Sequence, residues 1–117
     1  MPAPTKNDDE TTPVNEVRLV GRVGAMPQER ELPSGDTLWT FRLNVDRPEG
    51  PGQRVDTLDC AVWGGRLKRS VAGWTTGDVV EVSGAIRKRF FRSAAGATTA
   101  RVEVVAVRGR LIRRAAT

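Results

Sequence analysis

The chain has no histidine, no tyrosine and a single cysteine among its 117 residues. Without histidine it lacks the commonest general base and the commonest metal ligand. Cys60 alone supports neither an internal disulfide nor a thiolate metal cluster. The serines have no imidazole to activate them. Asp56 and Asp59 lie three apart in one extended stretch, so alternation turns them to opposite faces. No constellation for catalysis emerges, and a non-enzymatic protein without cofactor or metal is expected. No apolar run approaches the roughly 18 residues of a membrane span. The opening "MPAPTKNDDETTP" has no signal-peptide core.

Charge is what the chain does have. The formal net charge is +5, and it is unevenly spread. Lys6 against Asp8, Asp9 and Glu10 leaves the first 14 residues at −2, so the rest carries +7. Between 87 and 114 nine basic side chains face one acid, Glu103. Such an excess attracts polyanions, although a solvated surface has the same composition. Sixteen of the nineteen basic residues are arginine, the better partner for phosphate oxygens and for stacking on bases.

Periodicity points to an all-β domain. Residues 1–14 read as a disordered, polar tail. Val17, Leu19, Gly21 and Val23 alternate with Arg18, Val20 and Arg22, predicting a strand over about 15–24. "MPQERELPSGD" reads as a connection with a Ser-Gly turn. Trp39, Phe41, Leu43 and Val45 share one face of a second strand at about 37–46, a core or interface stripe. "RPEGPGQ" is a loop. A third strand at about 54–63 puts Leu58, Cys60 and Val62 inward, and Thr57, Asp59, Ala61 and Trp63 outward. Arg66–Trp74 suits about two helical turns, with Leu67, Val71 and Trp74 on one face and an end at Gly77 and Asp78. A fourth strand at about 79–92, the tip "RSAAGAT" and a fifth strand at about 98–108 complete the pattern, and "GRLIRRAAT" extends the fifth before fraying at 113–117. A small antiparallel sheet hides one face and its edges by closing. The expected fold is therefore a five-stranded OB-fold barrel over 15–112, with a short helix between strands 3 and 4 and a long hairpin.

Single-strand binding needs cations along the backbone and aromatic faces for bases. "IRKRFFRS" supplies both. Alternation puts Arg87, Arg89 and Phe91 on one face and Lys88, Phe90 and Arg92 on the other. Phe91 is expected to stack and Phe90 to stack or pack against a neighbouring subunit. Trp63, before Gly64 and Gly65, is read as a second platform. Arg18, Arg22, Arg42 and Arg54 flank these elements and are candidates for phosphates. Trp74 is read as a core anchor. No helix reads as one for a DNA major groove, and the same ingredients serve DNA and RNA.

In order along the chain, "NEVRLVGRVG", "WTFRLNVDR", "LDCAVWGGRLKRSV", "GDVVEVSGAIRKRFF" and "ARVEVVAVRGRLI" resemble the bacterial single-stranded DNA-binding protein family over about 15–112. The resemblance implies sequence-tolerant binding and protection of single-stranded DNA in replication, recombination or repair. It implies a cytoplasmic, nucleoid-associated place and a homo-oligomer, a tetramer before a dimer, with no membrane. It makes Trp63 and Phe91 two of the family's stacking aromatics. Thr57 stands where many members have a tryptophan, and the loop near Arg47–Gly50 lacks the aromatic of some members. Fewer platforms imply weaker binding per subunit or more reliance on arginine. The family's long linker and acidic tip are absent after "RGRLIRRAAT", so recruitment of repair enzymes by such a tip is not expected; a short auxiliary paralogue or a trimmed chain fits that pattern. The alternative is a protein-interaction barrel, as in a primosome accessory factor, with weak nucleic-acid binding. An RNA-binding barrel of cold-shock type is a third reading.

Overall fold

The computed structural model describes residues 11–48 and 54–116. Most of the expected tail and most of the loop "RPEGPGQ" lie outside them. Among these residues five strands and one helix follow in order: β1 Val17–Glu31, β2 Thr37–Asp46, β3 Val55–Val62, α1 Leu67–Ala72, β4 Val79–Arg92 and β5 Thr98–Arg113. They close into a barrel in the order β1-β2-β3-β5-β4, which is the OB-fold barrel expected. Neighbours are antiparallel except β3 and β5, which run parallel and meet at Cys60↔Val104 and Ala61↔Val105.

The core follows from alternation. Val23, Phe41, Leu43, Cys60, Val62, Val80, Val82, Val104 and Ala106 point inward and are buried. α1 closes one end. Its Leu67 and Val71, four apart, bury one face, and Trp74 follows them in at 3% exposure. The Trp74 ring meets Phe41 edge-on, centroids 5.6 Å apart at 88°. Trp39 packs half-buried against the same cluster. A six-residue helix is not stable alone, so its order derives from this packing.

The structure corrects three sequence expectations. β1 does not stop near 24. It runs to Glu31, where Glu31 pairs with Thr37, so the stretch read as a connection is mostly strand and only 32–36 turn the chain. Pro27 falls within the register shift between Ala25 and Gln28, where a bulge takes its missing N–H out of the ladder. α1 ends at Gly73, whose N–H donates to the Ser70 carbonyl while the Trp74 N–H donates to that of Val71, and not at Gly77 and Asp78. Gly77 serves a separate turn at φ 93°, its N–H donating to the Val23 carbonyl. β5 runs to Arg113, in line with the expected extension through "GRLIRRAAT", but alternation groups Val102 with Val104 and Ala106 on the inner face, and Val102 is exposed while Glu103 opposite is buried.

The basic end, read as frayed, has two anchors here. Asp78 is fully buried. Its carboxylate accepts from the N–H of Thr75 at 2.9 Å, from the N–H of Ala115 at 2.8 Å and from Arg114 at 3.0 Å. Burial pushes this carboxyl up, but the two backbone N–H groups, the Arg114 charge and the Thr75 hydroxyl outweigh it. The net result is a carboxyl held below its ordinary range. Arg114 also donates to the Gly73 carbonyl at 2.8 Å, tying β5 to the end of α1.

Candidate nucleic-acid interface

Two long hairpins leave the barrel. One is formed by the far halves of β1 and β2, the other by β4 and β5. The second keeps an unbroken antiparallel register from Gly84↔Ala106 to Arg92↔Thr98. Its tip turns at Gly96, φ 86°, where a side chain would be strained. Between the hairpins and over β3 lies a cleft of about 330 Å³. Arg30, Arg42, Arg89 and Arg101 line it, with Asp59 and Glu103, and Leu32, Leu38 and Phe41 contribute apolar wall.

The charges in this cleft are internally ordered. Arg42 Nε donates to Asp59 Oδ1 at 3.3 Å across the β2–β3 pair. Arg89 forms an ion pair with Glu103 at 3.4 Å. The Glu103 side chain is only 5% exposed. Arg101 pairs with Arg89 in register, and its guanidinium stands 5.8 Å from the Phe91 ring centroid. Cys60 lines the inner wall, where burial first, then the charges of Asp59 and Glu103, push its thiol up to about 12.

Of the residues named from sequence, Arg42 and Arg89 converge on this cleft. Phe91 stands on the same hairpin face as Arg89 by alternation and is 41% exposed. Phe90 points the other way, 64% exposed, with Lys88 Nζ 5.6 Å from its ring. Both cation–ring distances are within the range of attraction. Arg87, Lys88 and Arg92 are exposed on the hairpin. Trp63 follows β3 on the face of Asp59 and Ala61 and is 42% exposed. Thr57 bonds laterally, its hydroxyl donating to Asn44 Oδ1 at 2.8 Å.

Other candidates are not in the cleft. Arg22 pairs with Asp46 at 3.5 Å. Arg54 is exposed ahead of β3, its carbonyl accepting from the Arg47 N–H. Arg18 binds Glu81, which Arg110 also holds at 2.7 Å. The hydrogen bond from Arg110, then that from Arg18, keeps the Glu81 carboxyl low. Arg47 is committed to Asp56 at 2.7 Å, which strengthens its hold on its proton.

Sequence reasoning missed Arg30, Arg101, Asp59 and Glu103 as parts of one cleft. Arg101 was recoverable, because the short tip fixes the register that pairs it with Arg89. Arg30 lay in a stretch read as a connection.

The profile of the Single-strand binding protein family matches residues 14–112. The chain belongs to that family. Among its relatives, the single-stranded DNA-binding protein of Oceanobacillus iheyensis is 31% identical over 96 residues, covering 80% of this chain and 60% of that protein. Single-stranded DNA-binding protein 3 of Listeria innocua is 32% identical over 96 residues, again 80% and 60%. The chain thus spans about three fifths of the length of these curated relatives. Among solved structures, a chain of the Plasmodium falciparum SSB complex with ssDNA superposes with a TM-score of 0.70 at 22% identity, covering 87% of this chain and 96% of that one. The Saccharomyces cerevisiae mitochondrial single-stranded DNA-binding protein Rim1 gives 0.69 at 14% identity, covering 88% and 99%. These two likenesses show the barrel fold alone, and the family match establishes the kinship.

Proposed function

We propose that this chain binds single-stranded DNA with little dependence on sequence, coating and protecting exposed strands in replication, recombination or repair. One observation carries the reading: four arginines converge on one cleft, beside a hairpin that holds Phe90 and Phe91 out in solvent. Arginine supplies the salt-dependent attraction to phosphate, and exposed rings supply stacking that every base satisfies. In this reading Arg42, Arg89 and the exposed Arg87, Lys88 and Arg92 track the backbone. Phe91 and Trp63 each stack on a base, with Phe90 as a third platform or a subunit contact. Arg22 and Arg54 lie outside the cleft and serve a continuing strand. Relatives named as single-stranded DNA-binding proteins support the choice of DNA. The protein acts as a homo-oligomer, a tetramer before a dimer. Exposed Val20 and Val107 on the barrel wall suit a subunit contact. No helix among the described residues is long and apolar enough to cross a membrane, and a DNA-coating role places the protein in the cytoplasm at the nucleoid.

Titration with oligo(dT) at low and moderate salt, followed by tryptophan fluorescence, tests this. Saturable quenching that salt weakens and Trp63→Phe reduces is the expected result. No quenching and no mobility shift would overturn the reading in favour of a protein-interaction barrel.

A further inference from the structure

Glu103 is the lone acid among nine basic side chains between 87 and 114. It lines the cleft, where a carboxylate works against any phosphate that enters. Its side chain is only 5% exposed, whereas Asp59, the other acid of the cleft, is 37% exposed. Burying a carboxylate is costly unless it is paired. Even paired, a covered ion pair is often no more stabilising than apolar groups of the same volume. Neither attraction for DNA nor stability by itself therefore calls for an acid at this position.

The register of the hairpin does. Arg89 and Arg101 stand directly opposite each other, and Glu103 is the next residue along β5 on the Arg101 side, opposite Arg87. Like charges directly opposite repel. Glu103 Oε1 lies 3.4 Å from Arg89 Nη2, so its charge offsets that repulsion where it arises. Arg101 leans the other way along the strand, toward the Phe91 ring. No buried side-chain nitrogen or oxygen among the described residues lacks a partner, so Glu103 is satisfied within the chain. Being covered, it faces Arg89 and is withheld from a strand in the open cleft. An arginine free in solvent gives up many rotamers when it grips a phosphate. One already held gives up fewer.

We propose that Glu103 is a positioning residue for DNA binding: it holds Arg89 beside Arg101, ready for phosphate, and touches no DNA itself. The inference rests on the single-strand reading above, in which Arg89 tracks the backbone.

The test measures affinity for oligo(dT), at one salt concentration, across a double-mutant cycle of Glu103→Gln and Arg89→Ala. Glu103→Gln keeps the side-chain volume and removes one negative charge from the cleft. Charge alone predicts tighter binding. The positioning role predicts the opposite sign, a loss of about two- to tenfold as Arg89 regains its freedom. In the Arg89→Ala background the same substitution should cause no further loss, because the side chain it positions is gone. Unchanged or tighter binding by Glu103→Gln would overturn the inference and leave single-strand binding standing. A loss that persists undiminished without Arg89 would also overturn it, since Glu103 would then act only on the hairpin's structure. Should Glu103→Gln fail to fold, Glu103→Asp takes its place in the cycle. It keeps the charge but draws it one carbon back from Arg89, and the same loss is expected. Absence of binding by the wild-type chain would overturn both this inference and the reading beneath it.

Discussion

Asn15 uses both ends of its amide on the backbone of Ile86: Nδ2 donates to the Ile86 carbonyl at 2.6 Å, and the Ile86 N–H donates to Oδ1 at 2.9 Å. The β1–β4 ladder begins two residues later, at Val17↔Gly84. The side chain thus adds one rung to the sheet ahead of the strand itself. Asn15→Ala should lower the midpoint of urea unfolding, at a cost of about 1–2 kcal/mol for two partly solvated bonds. Asn15→Asp should cost at least as much, because it sets a carboxylate against a carbonyl. Hydrogen exchange of the Ile86 amide measures the lost rung directly.

Stacking and charge should separate in binding experiments. Trp63→Ala and Phe91→Ala should each weaken oligo(dT) binding by about 1–3 kcal/mol while leaving the slope of log affinity against log salt unchanged. Arg89→Ala or Arg42→Ala should make that slope shallower, because fewer counterions are released per complex. A salt series on each variant checks both.

Acid should release the C-terminal end. The Asp78 carboxyl is held below its unfolded value of about 3.9, so its stabilisation is present above that pH and fades as pH falls through the folded value. Asp78→Asn keeps the shape but removes the acceptor charge facing Arg114. It should lower stability near neutrality by at least about 2 kcal/mol, since it leaves Thr75, Ala115 and Arg114 with an incomplete partner. The gap between wild type and variant should narrow below about pH 4. Thermal melts across pH 3–7 give both limbs.

Cys60 should stay silent to thiol reagents in the folded protein. Burial and its acidic neighbours push it up to about 12, so almost no thiolate exists at pH 8. Reaction with a disulfide reagent should be slow in buffer and complete in denaturant. The ratio of the two rates reports the opening of the barrel at β3.

The strands were legible where alternation ran between clear punctuation. β2 lies between a Ser-Gly turn and a proline–glycine loop, and its bounds match the expected 37–46. β4 starts after Gly77-Asp78 and ends at a small-residue tip, again as expected. The far half of β1 was hidden because Pro27 is a breaker in one dimension and a bulge residue in three. Glu103 was hidden for a related reason. Flanked by Val102 and Val104, it read as the solvent side of an alternating strand, but that side turns toward the cleft and Arg89. Local periodicity tells which residues share a face. Whether a face is wet depends on what folds over it.

The parallel junction of β3 and β5 is the narrowest seam in the wall, with only Cys60↔Val104 and Ala61↔Val105 in register. Asp59 stands just before it on β3, and Glu103 just before it on β5. A strand of DNA lying in the cleft would therefore straddle the two lips of that seam. Loading would act as a clasp: ligand that binds only the closed barrel raises the temperature at which it opens. The protection would be mutual, with the barrel shielding the strand and the strand keeping the barrel shut.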